Sequence, residues 1–214
     1  MSSYKKMDNE YLIKTYVPDV YQKSIYNIDY DQLKEAGIKL ISFDIDDTIE
    51  SIAAYKPSKE SITLFEKLRT TGFELYILSN ANYDRVKRFS EILKIEAVHR
   101  AEKPYTQGLE MIQKSYFDKH NREIAKNEMA HVGNSMIKDV ATGNTFGVVT
   151  CLVRNAGILP KTGRILNPFK TESQQLRAVL LERGIWRKHH LNEPDDQYYQ
   201  LGEKQVMPEL PTNK

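Results

Sequence analysis

A single cysteine, Cys151, stands in a chain of 214 residues, so no intramolecular disulfide framework holds the fold and stability must come from a packed core. A reducing compartment, the cytoplasm, suits that usage. Long apolar runs are missing as well: nothing reaches the roughly 20 residues that a membrane-crossing helix needs. The opening "MSSYKKMDNEYLIK" lacks the apolar stretch of a signal peptide. The chain reads as soluble, or at most in peripheral contact with a membrane. Charge of one sign is absent too. The 31 basic and 29 acidic side chains leave a net charge of +2 with no long basic run, so no nucleic-acid partner is expected and any anion must be recognised locally. His99, His131, His189 and His190 show no paired metal-ligand spacing, and none is assigned a function. Internal repeats are absent.

What is present from Lys39 onward is an alternation of short apolar runs with helix-period segments, the pattern of a parallel sheet covered by helices. The candidate strands are "KLISFDI", "FELYILS", "AVHR", "MAHVGN" and "VVTCLV". Between the first two, Ile62, Phe65 and Leu68 recur on one helical face, with Ser58 placed to cap the start and Gly72 to end the helix. Val86, Phe89, Ile92 and Leu93 mark a second crossover helix, and "PYTQGLEMIQKSYF" a third with Pro104 in its first turn. The length suits one domain: a lead-in over 1–38 with a helix near Asp31 to Ala36, an α/β core over 39–184, and a polar, flexible tail over 185–214. The glycine- and proline-punctuated stretch after Val153 carries Arg154, Lys161, Arg164 and Lys170 and reads as an exposed loop.

The first strand runs into Asp44, Asp46 and Asp47, with Thr48 behind. Carboxylates removed from water without partners are destabilising by several kcal/mol each, roughly, so such a placement calls for a cation. Ligands of open parallel sheets bind beyond the carboxyl ends of the strands, where strand order reverses. The first four strand ends each supply a polar residue: Asp44 and Asp46, Ser79 and Asn80, Lys103, then Asn134 and Asp139. Each alone has an ordinary explanation. Asp47 and Thr48 can shape a turn, Ser79 and Asn80 can be turn residues, Lys103 a solvated lysine and Asp139 a helix-surface acid; Cys151 reads as a buried strand residue.

Together, "DIDDT", "LSN", "AEKP" and "GNSMIKD" resemble, in order, the motifs of the haloacid dehalogenase-like (HAD) hydrolases, and the surrounding residues look like subfamily IIIA, the YqeG-like group related to phosphatidylglycerophosphate phosphatases. The resemblance spans roughly Leu12 to Lys170. It implies a Rossmann-like fold and a Mg²⁺-dependent phosphatase. By that resemblance Asp44 is the nucleophile that forms an aspartyl-phosphate, and Asp46 protonates the leaving oxygen and then activates water. Thr48 braces the loop, Ser79 and the Asn80 N–H hold phosphoryl oxygens, and Lys103 offsets charge. The metal ligands implied are Asp44, the Asp46 carbonyl, the Asn134 side chain and a contribution near Asp139.

One position departs from the family pattern. Its fourth motif opens Gly-Asp, whereas here Asn134 follows Gly133, an amide that brings no charge to a metal and so predicts weak Mg²⁺ affinity. Two alternatives follow: a phosphate- or partner-binding protein without turnover, and a metal-independent dehalogenase, for which Asn134 and Ser135 give some footing and against which Asp46 argues. The short intervals between the motifs leave no room for a cap domain. An open site suits a phosphorylated small molecule or a substrate whose bulk stays outside, such as a lipid headgroup.

Overall fold

The alternation of apolar runs folds into a six-stranded parallel sheet in the computed structural model, which describes residues 3–154, 168–186 and 198–203. The strands are β1 (Val20–Gln22), β2 (Leu40–Phe43), β3 (Glu74–Leu78), β4 (Glu96–Val98), β5 (Met129–Gly133) and β6 (Val149–Val153), in the spatial order β1-β6-β5-β2-β3-β4. The helices are α1 (Asn9–Tyr16), α2 (Tyr30–Glu35), α3 (Lys59–Thr71), α4 (Tyr83–Leu93), α5 (Gln107–His120), α6 (Ala141–Phe146) and α7 (Pro168–Glu182), with a π-helical turn at Met136–Val140. All five strands expected from the sequence are present, each within a residue or two of the apolar run that announced it.

Both faces of the sheet are covered, as a fully parallel sheet requires. Ile41 and Phe43 point into one layer with Leu33 of α2, Phe65 and Leu68 of α3, and Val86 and Phe89 of α4. Leu40, Tyr76 and Leu78 point into the other with Leu109, Ile112 and Tyr116 of α5. The caps follow the local chemistry: Ser58 accepts from the Ser61 N–H at 3.1 Å, and Gly72 closes α3 with φ +103°, a conformation that an L side chain resists. Pro104 lies in the turn closed by the Tyr105 N–H on the Glu102 carbonyl at 3.0 Å, ahead of α5 rather than in its first turn.

The lead-in does more than pack on the core. Val20–Gln22 pairs in parallel with Cys151–Val153 as an edge strand, and α1 precedes it. Neither was legible: "VYQ" is too short to show a period. Polar stitches fix the attachment, with the Thr150 N–H donating to Asp19 Oδ2 at 2.9 Å and the Asn144 amide donating to the Thr15 and Val17 carbonyls. Beyond α7, Ile185 is buried, and Tyr199 exchanges backbone hydrogen bonds of 2.9 and 3.0 Å with Tyr21, covering an edge that would otherwise invite pairing with another chain. Lys161, Arg164, His189 and His190 lie outside the described residues, and Lys170 falls within α7. No helix among the described residues is long and apolar enough to cross a membrane.

From β2 the chain runs outward through β3 to β4, then returns through α5 to β5 on the other side of β2. Strand order therefore reverses at β2, whose carboxyl end leads into Asp44.

Candidate active site

The loop after β2 is rigid for local reasons. The N–H groups of Thr48, Ile49 and Glu50 converge on the Ile45 carbonyl, Ile45 and Ile49 are buried, and Asp47 turns the chain with φ +61°. Asp47 Oδ1 accepts from the Ile52 N–H at 3.1 Å, a turn-forming use of that carboxylate. Glu50 ties the loop to α3 by accepting from the Ser58 N–H at 2.7 Å and the Ser61 hydroxyl at 2.6 Å. Asp44 is held at the sheet, its N–H donating to the Val132 carbonyl at 2.9 Å.

Lys103 reaches Asp44 from the loop between β4 and α5. Arg100 and Glu102, with φ +47° and +55°, bend that loop inward. The Asn80 side chain clasps the Lys103 backbone at both ends, accepting from its N–H at 2.8 Å and donating to its carbonyl at 3.1 Å. The ammonium, 1% exposed, then donates to Asp44 Oδ1 at 2.8 Å, to Asp139 Oδ1 at 2.5 Å and to the Leu78 carbonyl at 2.8 Å. Three partners exhaust its three protons.

Asp139 arrives by the π-helical turn. Its Oδ2 accepts from the Ser135 N–H at 2.9 Å, and His131 Nε2 lies 3.4 Å from its Oδ1, with Ser42 Oγ 2.9 Å from the other ring nitrogen. The carboxylate packs so closely on Gly133 that a β-carbon there would lie 2.1 Å from Asp139 Cγ. That contact explains the glycine. Both Asp139 oxygens are thus committed to the protein, and the residue stands as the partner of Lys103.

Electrostatics divide the two carboxylates. Burial would raise Asp139, but Lys103 and His131 hold it below the usual carboxylate range. Burial also pushes Asp44 up, to about 6, against the pull of Lys103 and with Asp139 adding to the rise. Lys103 is kept above its ordinary value although burial opposes it, because Asp139 and Asp44 both face it. Burial drives His131 below its ordinary value. One cation thus serves two buried carboxylates, and Asp44 carries the excess negative charge. Among the described residues its Oδ2 receives only the Thr48 hydroxyl, at 3.4 Å.

The other residues anticipated from the sequence follow the ends of β2, β3 and β5. Ser79 is buried at the end of β3, its Oγ accepting from the Ala81 N–H at 3.2 Å, and Asn80 is exposed beside it. Half-buried Asn134 follows Gly133 where β5 ends beside β2. Asp46 is bound by Arg85 of α4, Nε to Oδ1 at 2.6 Å. The sequence reading did not single out Arg85, Ser42 or any role for His131: a helix arginine and two strand residues carry no local signal of what they will meet. Among the described residues no cluster of three or more His, Cys, Asp or Glu is arranged to hold a metal. Asp44 Oδ2, which faces only the Thr48 hydroxyl among the described residues, is an oxygen that could hold a divalent cation.

Residues 6–158 match the family model described as mitochondrial PGP phosphatase. The chain belongs to this phosphatase family. A curated relative, "Probable phosphatase YqeG" of Bacillus subtilis (strain 168), is 32% identical over 142 residues, which cover 66% of this chain and 79% of the relative. The resemblance read from the motifs is thereby borne out. Two solved structures show lower similarity. The 3-deoxy-D-manno-octulosonate 8-phosphate phosphatase of Moraxella catarrhalis, in complex with magnesium ion, phosphate ion and KDO, has a TM-score of 0.43 at 11% identity, covering 72% of this chain and 99% of that one. The cobalt-bound enzyme from Haemophilus influenzae has a TM-score of 0.45 at 12% identity, covering 72% and 96%.

Proposed function

We propose that this PGP phosphatase family member hydrolyses a phosphate monoester through an aspartyl-phosphate on Asp44, with a weakly held Mg²⁺ at the Asp44 end of the site. The observation that carries this reading is the buried Asp44–Lys103–Asp139 constellation at the switch point of the sheet, which leaves one carboxylate with an under-satisfied oxygen. When bound, Mg²⁺ supplies charge neutralisation between that carboxylate and the phosphoryl group. Asp44 Oδ2 then bonds phosphorus as the ester P–O bond breaks. Lys103 fixes Asp44 by its other oxygen and offsets developing charge, Ser79 and the Asn80 N–H face the phosphoryl oxygens, and Asp46 gives its proton to the leaving oxygen. In the second displacement Asp46 takes a proton from water, whose oxygen displaces Asp44 from phosphorus.

Among the described residues the intervals between successive strands from β2 to β5 hold α3, α4, α5, a 3-10 turn at Lys126–Glu128 and their loops, with no inserted cap domain. An open mouth suits a substrate whose bulk stays outside, and the family's name supports phosphatidylglycerophosphate. Phosphate release from an aryl phosphate across a Mg²⁺ titration, beside Asp44→Asn, tests the reaction: metal-dependent turnover lost in the variant supports it. A folded wild-type protein with no turnover at any Mg²⁺ level indicates a phosphate-binding protein instead, the outcome Asn134 would produce if its missing charge silenced the metal site. Cleavage of small esters without release of phosphate from phosphatidylglycerophosphate in detergent micelles rejects the lipid substrate alone.

A further inference from the structure

Arg85 lies in the first turn of α4, where an arginine would ordinarily extend into solvent. Instead its side chain is 17% exposed and spans to the opposite loop. Nε donates to Asp46 Oδ1 at 2.6 Å, Nη1 to the Ala54 carbonyl at 2.8 Å and Nη2 to the Ser51 carbonyl at 3.5 Å, with the guanidinium 5.1 Å from the Phe89 ring centroid. One turn later Arg88 stacks 3.8 Å from the Tyr55 ring and donates to the Tyr55 carbonyl at 3.4 Å. Helix α4 therefore grips the 51–55 loop and, through Arg85 alone, the carboxylate of Asp46. Among the described residues Asp46 Oδ2 has no hydrogen-bond partner. A short charge-assisted bond on one oxygen restricts both side-chain torsions of an aspartate, and so fixes where the second oxygen points.

We propose that Arg85 is the positioning residue for Asp46, holding Oδ1 so that Oδ2 is presented to the leaving-group oxygen. This rests on the phosphatase reading above. As Asp44 bonds phosphorus and the P–O ester bond breaks, the proton on Asp46 Oδ2 passes to the departing oxygen; Arg85 keeps its own protons and touches neither substrate nor reacting atoms. Its contribution must then scale with how much the leaving group needs a proton. A nitrophenolate departs without one, whereas an alkoxide does not.

The test is kcat/KM, which reports steps up to aspartyl-phosphate formation, measured at saturating Mg²⁺ for esters ranging from 4-nitrophenyl to alkyl phosphates. Arg85→Ala is expected to lose no more than about tenfold on 4-nitrophenyl phosphate and about 100-fold or more on alkyl phosphates, within the range of general-acid contributions. Asp46→Asn should show the same selectivity, and adding Arg85→Ala to it should cause no further loss, since both act through one group. Arg85→Lys, with a single ammonium in place of a planar fork, should fall between wild type and Arg85→Ala, and it carries the test if Arg85→Ala fails to fold. Equal loss across the series, or losses that multiply in the double variant, would overturn the inference and make Arg85 a loop clamp or a substrate contact. Absence of wild-type turnover that depends on Asp44 would overturn the phosphatase reading and this inference with it; wild-type turnover with uniform loss overturns this inference alone.

Discussion

Removing the Lys103 ammonium exposes how the site is balanced. In Lys103→Met the side-chain volume is nearly kept, but Asp44 and Asp139, whose carboxylates sit 2.8 and 2.5 Å from the ammonium, lose their shared cation inside the protein. Breaking a buried ion pair by deleting one partner is destabilising by about 3–5 kcal/mol. With a urea m-value of about 2 kcal/mol/M, the unfolding midpoint at pH 8 should fall by roughly 1.5–2.5 M. The loss depends on pH with a defined sign. In wild type Asp139 is held below its unfolded value, so its stabilisation is present above the unfolded carboxyl range near pH 4, roughly, and fades only below it. Without Lys103, Asp44 loses the cation that opposes its burial and Asp139 keeps only His131 and the Ser135 N–H, so both carboxyls shift upward. Stability then peaks in acid and is lost as pH rises. The gap between wild type and variant should therefore widen from about pH 4.5 to about pH 8. Urea unfolding followed by circular dichroism, with chelator present, measures it. A gap under about 1 kcal/mol, within the scatter of ordinary substitutions, or one that does not change with pH, would refute the account. Adding Asp139→Asn to Lys103→Met should recover part of the loss.

Asp44, raised to about 6, contributes stability below its unfolded value that is lost as pH climbs through about 6. Asp44→Asn should accordingly melt at a higher temperature than wild type in chelator at alkaline pH, with the difference closing in acid; a melt below wild type at pH 8 would contradict the charge assignment. Asn134→Asp should lower the Mg²⁺ concentration for half-maximal phosphate release by about tenfold, one added carboxylate ligand, and an unchanged metal titration would reject Asn134 as a ligand position. Gly133→Ala would set a β-carbon 2.1 Å from Asp139 Cγ, so the π-helical turn must shift; destabilisation above about 2 kcal/mol by thermal melting is expected, as for overpacking elsewhere, and a neutral substitution would show that the turn yields freely.

The apolar runs exposed β2 to β6 and the helices between them because most are buried on a defined face, and burial writes its pattern into the residue types. The motif positions were legible because strand ends in a parallel sheet converge. The edge strand Val20–Gln22 was hidden by its length. Arg85 and His131 were hidden for another reason: their partners Asp46 and Asp139 lie 39 and 8 positions away in sequence, and the contacts depend on how α4 and the π-helical turn are carried over the sheet. Asn80 was read for its N–H, while its side chain proves to clasp Lys103.

The sequence by itself determined the fold class, the family and which residues gather at the carboxyl edge of the sheet, since these follow from apolar spacing and from the order of short motifs. Only the tertiary structure decided how they are paired. Asp139 belongs to Lys103, Asp44 is left with the surplus charge, and Arg85 holds Asp46, because hydrogen bonding and charge balance depend on separations of a few ångströms that chain order does not encode.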